Sequence, residues 1–192
     1  MDKEKRLGLP ENAKRVFKGK IFEVWQWPQK LFDGSTAVFE KIWRPPTVEV
    51  IATAGDKIII ERQDQPDRFG NINLVSGRPE EGEEPLAAAK RELLEETGCQ
   101  SSDWSLLLKH GRDGKIIHDV YYFIARECRK VAEPRLDAGE RIGAELIAFE
   151  ELLALADEPK FWVSAEFINY ILRIRADKER AAAFRNMLFP HR

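Results

Sequence analysis

The segment GRPEEGEEPLAAAKRELLEETG, residues 77–98, holds seven glutamates and constrains the fold more than any other stretch. Pro85 suits a first helical position, where a missing N–H costs nothing, and Gly98 suits the residue after a last turn, so a helix is predicted over 85–97. On a wheel advancing about 100° per residue, Glu92, Glu95 and Glu96 share one face. The same reading puts Ala88 and Ala89 on that face, keeping it low and open. Leu86, Ala87, Leu93 and Leu94 fall on the other side, where a sheet would cover them. Like charges at i,i+4 cost about 0.2–0.5 kcal/mol, and Glu96 itself occupies the place where a basic residue could compensate Glu92. A solvated charged face is one reading. The other is a hard divalent cation, Mg²⁺ or Mn²⁺, seated among the oxygens, which removes the repulsion.

The rest of the chain supplies a setting for that helix. At 192 residues, 43% hydrophobic and 33% charged, it suits one soluble domain with an appended arm. A net charge of −2 and no long Lys/Arg run argue against a general nucleic-acid surface. Cys99 and Cys128 give neither a CxxC spacing nor a disulfide framework, which fits a reducing compartment. No apolar leader opens the chain and no window approaches the ~18 apolar residues of a membrane span, so a cytoplasmic protein is expected.

Residues 1–13 read as a polar tail. Strands are predicted at 18–27 and 36–43, joined by an Asp33-Gly34 turn, then at 47–53 and 57–62 around Gly55-Asp56. Residues 63–71 read as a loop and 72–77 as a short strand. Further strands are expected at 104–111, 115–126 and 144–151. A helix is expected at 149–157, and another at 163–175 with Ser164 as N-cap. Many strands with few helices predict an α/β (α+β) fold, a mixed sheet sandwiched by helices in α/β/α layers, carrying an N-terminal β-hairpin arm. The expected division is an arm over 1–44 and a main domain over 45–192.

Gly77, Glu83, Arg91-Glu92-Leu93, Glu95-Glu96 and Gly98-Cys99 together match the spaced pattern G-x5-E-x7-R-E-U-x-E-E-x-G-U, with U an apolar residue. The segment thereby resembles the Nudix box. The resemblance implies an α/β/α sandwich and a hydrolase of nucleoside diphosphates linked to another group, dependent on Mg²⁺ or Mn²⁺. Carried over by position, it implies Glu92, Glu95 and Glu96 as metal ligands. Glu83 would contribute from the loop and the Ser76 carbonyl would join the set. Arg91 would orient a neighbouring glutamate, and Gly77 would let the loop pass close to the metal. Metals would neutralise the diphosphate and lower the pKa of a bound water, whose proton a glutamate takes.

Within the family the chain looks most like the ADP-ribose pyrophosphatase branch, through IIIERQDQP, LVSGRPEEGE and the two strands before residue 45. That branch implies a homodimer built through the N-terminal arm. It also implies a late-loop acid, for which Glu140 is the best match, with Asp137 and Glu133 in reserve. The chain departs from the branch in having Ser76-Gly77-Arg78 at the box entry and HGRDGK at 110–115. It also has Ala138 where a first late acid would stand. Arg44, Arg62 and Arg78 are candidate phosphate or base contacts, since guanidinium matches phosphate geometry; ordinary ion pairs are the competing reading. Phe22 and Trp25 could stack on an adenine, or simply pack. The implied substrate is ADP-ribose or a related nucleotide sugar. The alternatives are GDP-mannose, NADH, oxidised nucleoside triphosphates, an RNA 5′ end, or nucleotide sensing without hydrolysis.

Overall fold

The computed structural model describes residues 8–136 and 138–190, which fall into two compact units. One comprises the chain up to Thr47 with His110–Val120, the other Val48–Lys109 with Tyr121–Arg192.

In the first unit, β1 (Lys14–Lys18), β2 (Glu23–Lys30) and β3 (Thr36–Trp43) form an antiparallel meander. The strand expected at 18–27 is thus two strands. Gly19 N–H donates to the Phe22 carbonyl at 2.8 Å, closing a turn between them. Pro28 lies inside β2, opposite Val38. On its β1 side it has no partner, since β1 pairs only with Glu23–Gln26, the edge position where proline is found in sheets. The Asp33-Gly34 turn forms as expected: Gly34 sits at φ 87°, and Asp33 accepts from the Ser35 backbone N–H at 2.9 Å. Ile116 and Ile117 run parallel to Ile42 and Trp43. Trp25 and Ile117 are buried, with Leu9, Ala13 and Trp43 packed on them. Val16, Phe17, Phe22 and Val38 stay exposed.

The second unit is built on β4 (Thr47–Ala54), β5 (Lys57–Gln65), the Tyr121–Arg126 part of β10 (Ile116–Arg126) and β12 (Arg141–Ile147), in the order β10-β4-β5-β12. β6 (Arg68–Asn73) pairs with β5, β7 (Val75–Gly77) with β4, and β9 (Asp103–Asp113) with β10. β8 (Cys99–Gln100) and β11 (Arg129–Lys130) form a separate pair. α1 (Pro85–Thr97) packs on β7 and β8. It is followed by α2 (Phe149–Ala154), α3 (Ala165–Arg175) and α4 (Lys178–Leu188).

Strand alternation sends successive side chains to opposite faces. On one face Val48, Val50, Ala52, Ile59, Phe123 and Ala125 meet Ala88, Ala89 and Leu93 of α1. On the other, Tyr122 stacks on Phe167 of α3 with ring centroids 4.6 Å apart. The α/β/α layering is the observed arrangement. α3 has Ser164 as its N-cap, accepting from Phe167 N–H at 3.2 Å.

Three readings are corrected. Residues 63–71 are not a loop: β5 runs to Gln65 and β6 starts at Arg68, so the strand predicted at 72–77 splits at Leu74. The extension is polar but still paired, and Asn73 donates to Gln63 within the interior. α4 was absent from the reading; Asp177 caps it by accepting from Glu179 and Arg180 N–H at 3.0 and 3.2 Å, and Phe184 and Leu188 bury its apolar side. The third correction concerns which way α1 faces, and it opens the site.

Candidate active site

α1 begins at Pro85 and ends at Gly98 in the left-handed region (φ 71°), whose N–H donates to the Leu94 carbonyl at 2.9 Å. A Cβ on Gly98 would stand 2.1 Å from the Ala132 carbonyl oxygen, so position 98 demands glycine twice over. Gly98 and Glu95 carbonyls accept from Val131, Ala132 and Arg135 N–H at 2.8, 3.1 and 2.7 Å. The end of the helix thereby anchors the loop that leads to Glu140.

The buried side of α1 is Ala88, Ala89, Leu93, Glu96 and Thr97, whereas Leu86 and Ala87 are exposed. Leu93 is covered as expected, but Leu86 and Ala87 are not, while Ala88, Ala89 and Glu96, expected on the open face, are buried. Ala88 and Ala89 let the helix lie close to the sheet, and Glu92 and Glu96 point inward with them. Gly77 on β7 completes the close approach: a Cβ there would stand 2.0 Å from the Glu92 Cδ and Oε1.

Glu96 is 6% exposed, and its Oε2 accepts the Ser76 N–H at 3.1 Å. Arg91 binds three acids at once. Its Nη1 lies 2.9 Å from Glu92 Oε1 and 3.1 Å from Glu95 Oε2, while Nη2 and Nε reach the two Glu83 oxygens at 3.0 and 3.2 Å. Nη2 also donates to the Arg78 carbonyl at 3.1 Å, tying the loop to the helix. The guanidinium bonds hold the Glu83 carboxyl below its usual range. Burial pushes Glu92 and Glu96 the other way, and Glu96 is raised further by a neighbour absent from the sequence reading, Glu61.

Glu61 lies on β5, 1% exposed, on the strand face of Ile59 and Gln63. Burial raises its pKa as well, with the Glu96 carboxyl beside it and the charges of Glu140 and Glu92 nearby. Its signal in the sequence was an acid one step past an unbroken apolar run, IIIE, at an inward position of a central strand. Glu140 is half-buried, and its charge reaches Glu61, Glu92 and Glu96.

Of the remaining candidates, Arg78 is exposed on the loop after β7. Arg62 projects to the face opposite Glu61 and pairs through Nε with both Glu145 oxygens at 2.9 Å. Glu133 pairs with Lys130, and Asp137 lies outside the described residues. Arg44 and Phe22 belong to the first unit.

Among the described residues no three acidic, histidine or cysteine side chains converge as a ready-made cation site, and Arg91 is the cation of the cluster as it stands. The donors nevertheless fit a hard divalent ion. They are all carboxylate oxygens, and both Glu61 oxygens are buried without a hydrogen-bond partner.

Residues 43–170 match the family model described as NUDIX domain. With two thirds of its length in that match, the chain belongs to the Nudix family and is a hydrolase of that family. Among its relatives is the ADP-ribose pyrophosphatase of Bacillus subtilis (strain 168), 29% identical over 147 residues, covering 74% of this chain and 80% of the relative. The methanol dehydrogenase activator of Bacillus methanolicus is 27% identical over 162 residues, covering 81% and 86%. A solved ADP compounds hydrolase superposes with a TM-score of 0.70 at 20% identity, over 86% of this chain and 91% of that one, and shares the fold. The relatives agree with the ADP-ribose pyrophosphatase-like branch. No helix among the described residues is long and apolar enough to cross a membrane.

Proposed function

We propose that the chain hydrolyses the diphosphate bond of a nucleoside diphosphate derivative, with ADP-ribose as the first substrate and AMP and ribose 5-phosphate as products. The observation that carries the reading is the carboxylate set gathered at α1, with Glu92 and Glu96 turned inward beside the buried Glu61. The relatives named for ADP-ribose and ADP compounds support the substrate class.

Glu92, Glu95 and Glu96 would hold Mg²⁺ or Mn²⁺, with Glu83 and the Ser76 carbonyl completing the set. Bound there, the cation would neutralise the diphosphate and lower the pKa of an attacking water. Arg91 keeps Glu83, Glu92 and Glu95 in one geometry. Glu140, at the start of β12 and within electrostatic reach of the cluster, takes the proton from water, with Glu96 as the other candidate base. Arg78, exposed on the box loop, would meet a phosphate. Arg62 would have to leave Glu145 to do so. Arg44 and Phe22 remain assignments from the family resemblance.

The arm over 1–44 is proposed as the contact between two copies in a homodimer, the rest (45–192) being the hydrolase domain. The exposed Phe17, Phe22 and Val38 are apolar surface that such a contact would cover. The relative named as a dehydrogenase activator favours a second reading, in which the chain serves a partner enzyme through its nucleotide chemistry.

The test is product analysis with Mg²⁺ against ADP-ribose, GDP-mannose, UDP-glucose, NADH, diadenosine polyphosphates and 8-oxo-dGTP. AMP plus ribose 5-phosphate from ADP-ribose, absent in Glu96→Gln, supports the reading. Turnover of another compound alone changes the substrate. Nucleotide binding without turnover favours sensing.

A further inference from the structure

Glu61 stands apart from the acids of the helix. It comes from β5, a strand held on both sides, by β12 from Arg141↔Asp64 to Ile147↔Ile58 and by β6 through Glu61↔Asn73. Its backbone therefore cannot carry the side chain out to water. Both of its carboxyl oxygens are sealed from solvent and neither has a hydrogen-bond donor. Glu96, the acid facing it, has at least the Ser76 N–H at 3.1 Å. Arg91 does not relieve Glu61, since its bonds go to Glu83, Glu92, Glu95 and the Arg78 carbonyl. A carboxyl fixed in the interior, whose nearest polar neighbour is the carboxyl of Glu96 and which no N–H reaches, is a poor structural element and a good half of a cation site.

We propose that Glu61 is a ligand side chain of the divalent-cation site, contributed by the sheet opposite the glutamates of α1. The cation would then be gripped between β5 and α1, where Glu61 and Glu96 face each other across the buried end of the cluster. The inference rests on the cation-dependent reading of that cluster and adds to it a residue outside the spaced Nudix pattern.

The test is Mn²⁺ binding, followed by the loss of the free-ion electron paramagnetic resonance signal. The chains compared are wild type, Glu61→Gln, Glu61→Asp and Glu96→Gln. Each is also melted without metal and with Mn²⁺. Glu61→Gln is isosteric, and Glu61→Asp keeps the charge while withdrawing the oxygens by one methylene. The expected result is a tenfold or greater loss of Mn²⁺ affinity in Glu61→Gln, a smaller loss in Glu61→Asp, and a metal-free Glu61→Gln that melts at or above wild type because the fold itself makes no use of the carboxylate. Wild-type affinity in Glu61→Gln beside a weakened Glu96→Gln overturns the role of Glu61 and leaves the helix site intact. A metal-free Glu61→Gln that melts below wild type and binds Mn²⁺ normally marks Glu61 as structural, and overturns the proposal too. A wild-type chain that takes up no Mn²⁺ removes the cation site and Glu61 with it.

Discussion

Two glutamates on neighbouring strands of the same sheet, Glu49 on β4 and Glu61 on β5, meet opposite fates. Glu49 turns toward α3, where the hydroxyl of Tyr122 stands beside it. That hydroxyl in turn donates to Ser164 Oγ at 2.9 Å and accepts the Ser164 N–H at 3.3 Å. Burial pushes Glu49 up to about 8, and as a neutral acid it joins a capped, hydrogen-bonded corner of the fold. Glu61 turns toward α1 and finds only other acids. The same residue type, buried by the same sheet, meets a hydroxyl on one face and carboxyls on the other. What separates the two is the group that stands beside each, the Tyr122 hydroxyl of β10 for Glu49 and the carboxyls of Glu92, Glu96 and Glu140 for Glu61.

Breaking the α1 side should produce the largest effect. Glu96→Gln removes a ligand and a candidate base together, and should lower kcat/KM on ADP-ribose by at least ~10²-fold. Its far-ultraviolet circular dichroism should be unchanged. A fall of less than threefold would remove Glu96 from the chemistry. Next comes Arg91→Lys, which keeps the charge but not the fork that reaches Glu83, Glu92 and Glu95 together. A loss of ~10- to 100-fold in metal affinity or activity is expected, the scale typical of residues that orient ligands. Parallel Mg²⁺ titrations of activity would show it as a raised metal requirement.

The Glu49 side should answer to pH instead. Its folded pKa, about 8, exceeds the ordinary 4.5. Its stabilising contribution is therefore complete below pH 4.5 and drains away as pH climbs toward 8, with a slope of at most about 1.4 kcal/mol per pH unit for one proton. Glu49→Gln should remove that component. The gap between variant and wild-type melting temperatures, followed from pH 5 to 9 without metal, should move in the variant's favour as pH rises. A constant gap would show that Glu49 keeps the same protonation state in the folded and unfolded chains.

The contrast also explains what could be read in advance. The bounds of α1 were legible because Pro85 and Gly98 act through backbone geometry, which the residue type alone dictates. Its facing was not. A wheel ranks residues by polarity, and it sent Leu86 inward and the glutamates outward. The packed helix instead chose closeness, through Ala88, Ala89 and Gly77, and carried Glu92 and Glu96 inside. Glu61 escaped notice for a related reason. Read along the chain, IIIER is a core strand giving way to a polar end, and only its pairing with β6 and β12 shows that the glutamate is still in the interior.

Arg62, one residue beyond Glu61 and on the other face of β5, sharpens the comparison with the smallest expected effect. Its guanidinium is 54% exposed and paired with Glu145, itself 46% exposed. Water screens such a pair and side-chain entropy opposes it, so Arg62→Ala should cost only ~0–1 kcal/mol of stability. Its value lies in kinetics. If Arg62 stays with Glu145, Arg62→Ala and Glu145→Ala should each leave KM for ADP-ribose within twofold of wild type. If Arg62 instead swings to a substrate phosphate, the two variants should diverge. Arg62→Ala would raise KM, while Glu145→Ala, by freeing the guanidinium, would lower it. Opposite shifts in KM at constant kcat would place Arg62 in substrate binding, while two silent variants would confine the chemistry of β5 to its inward face.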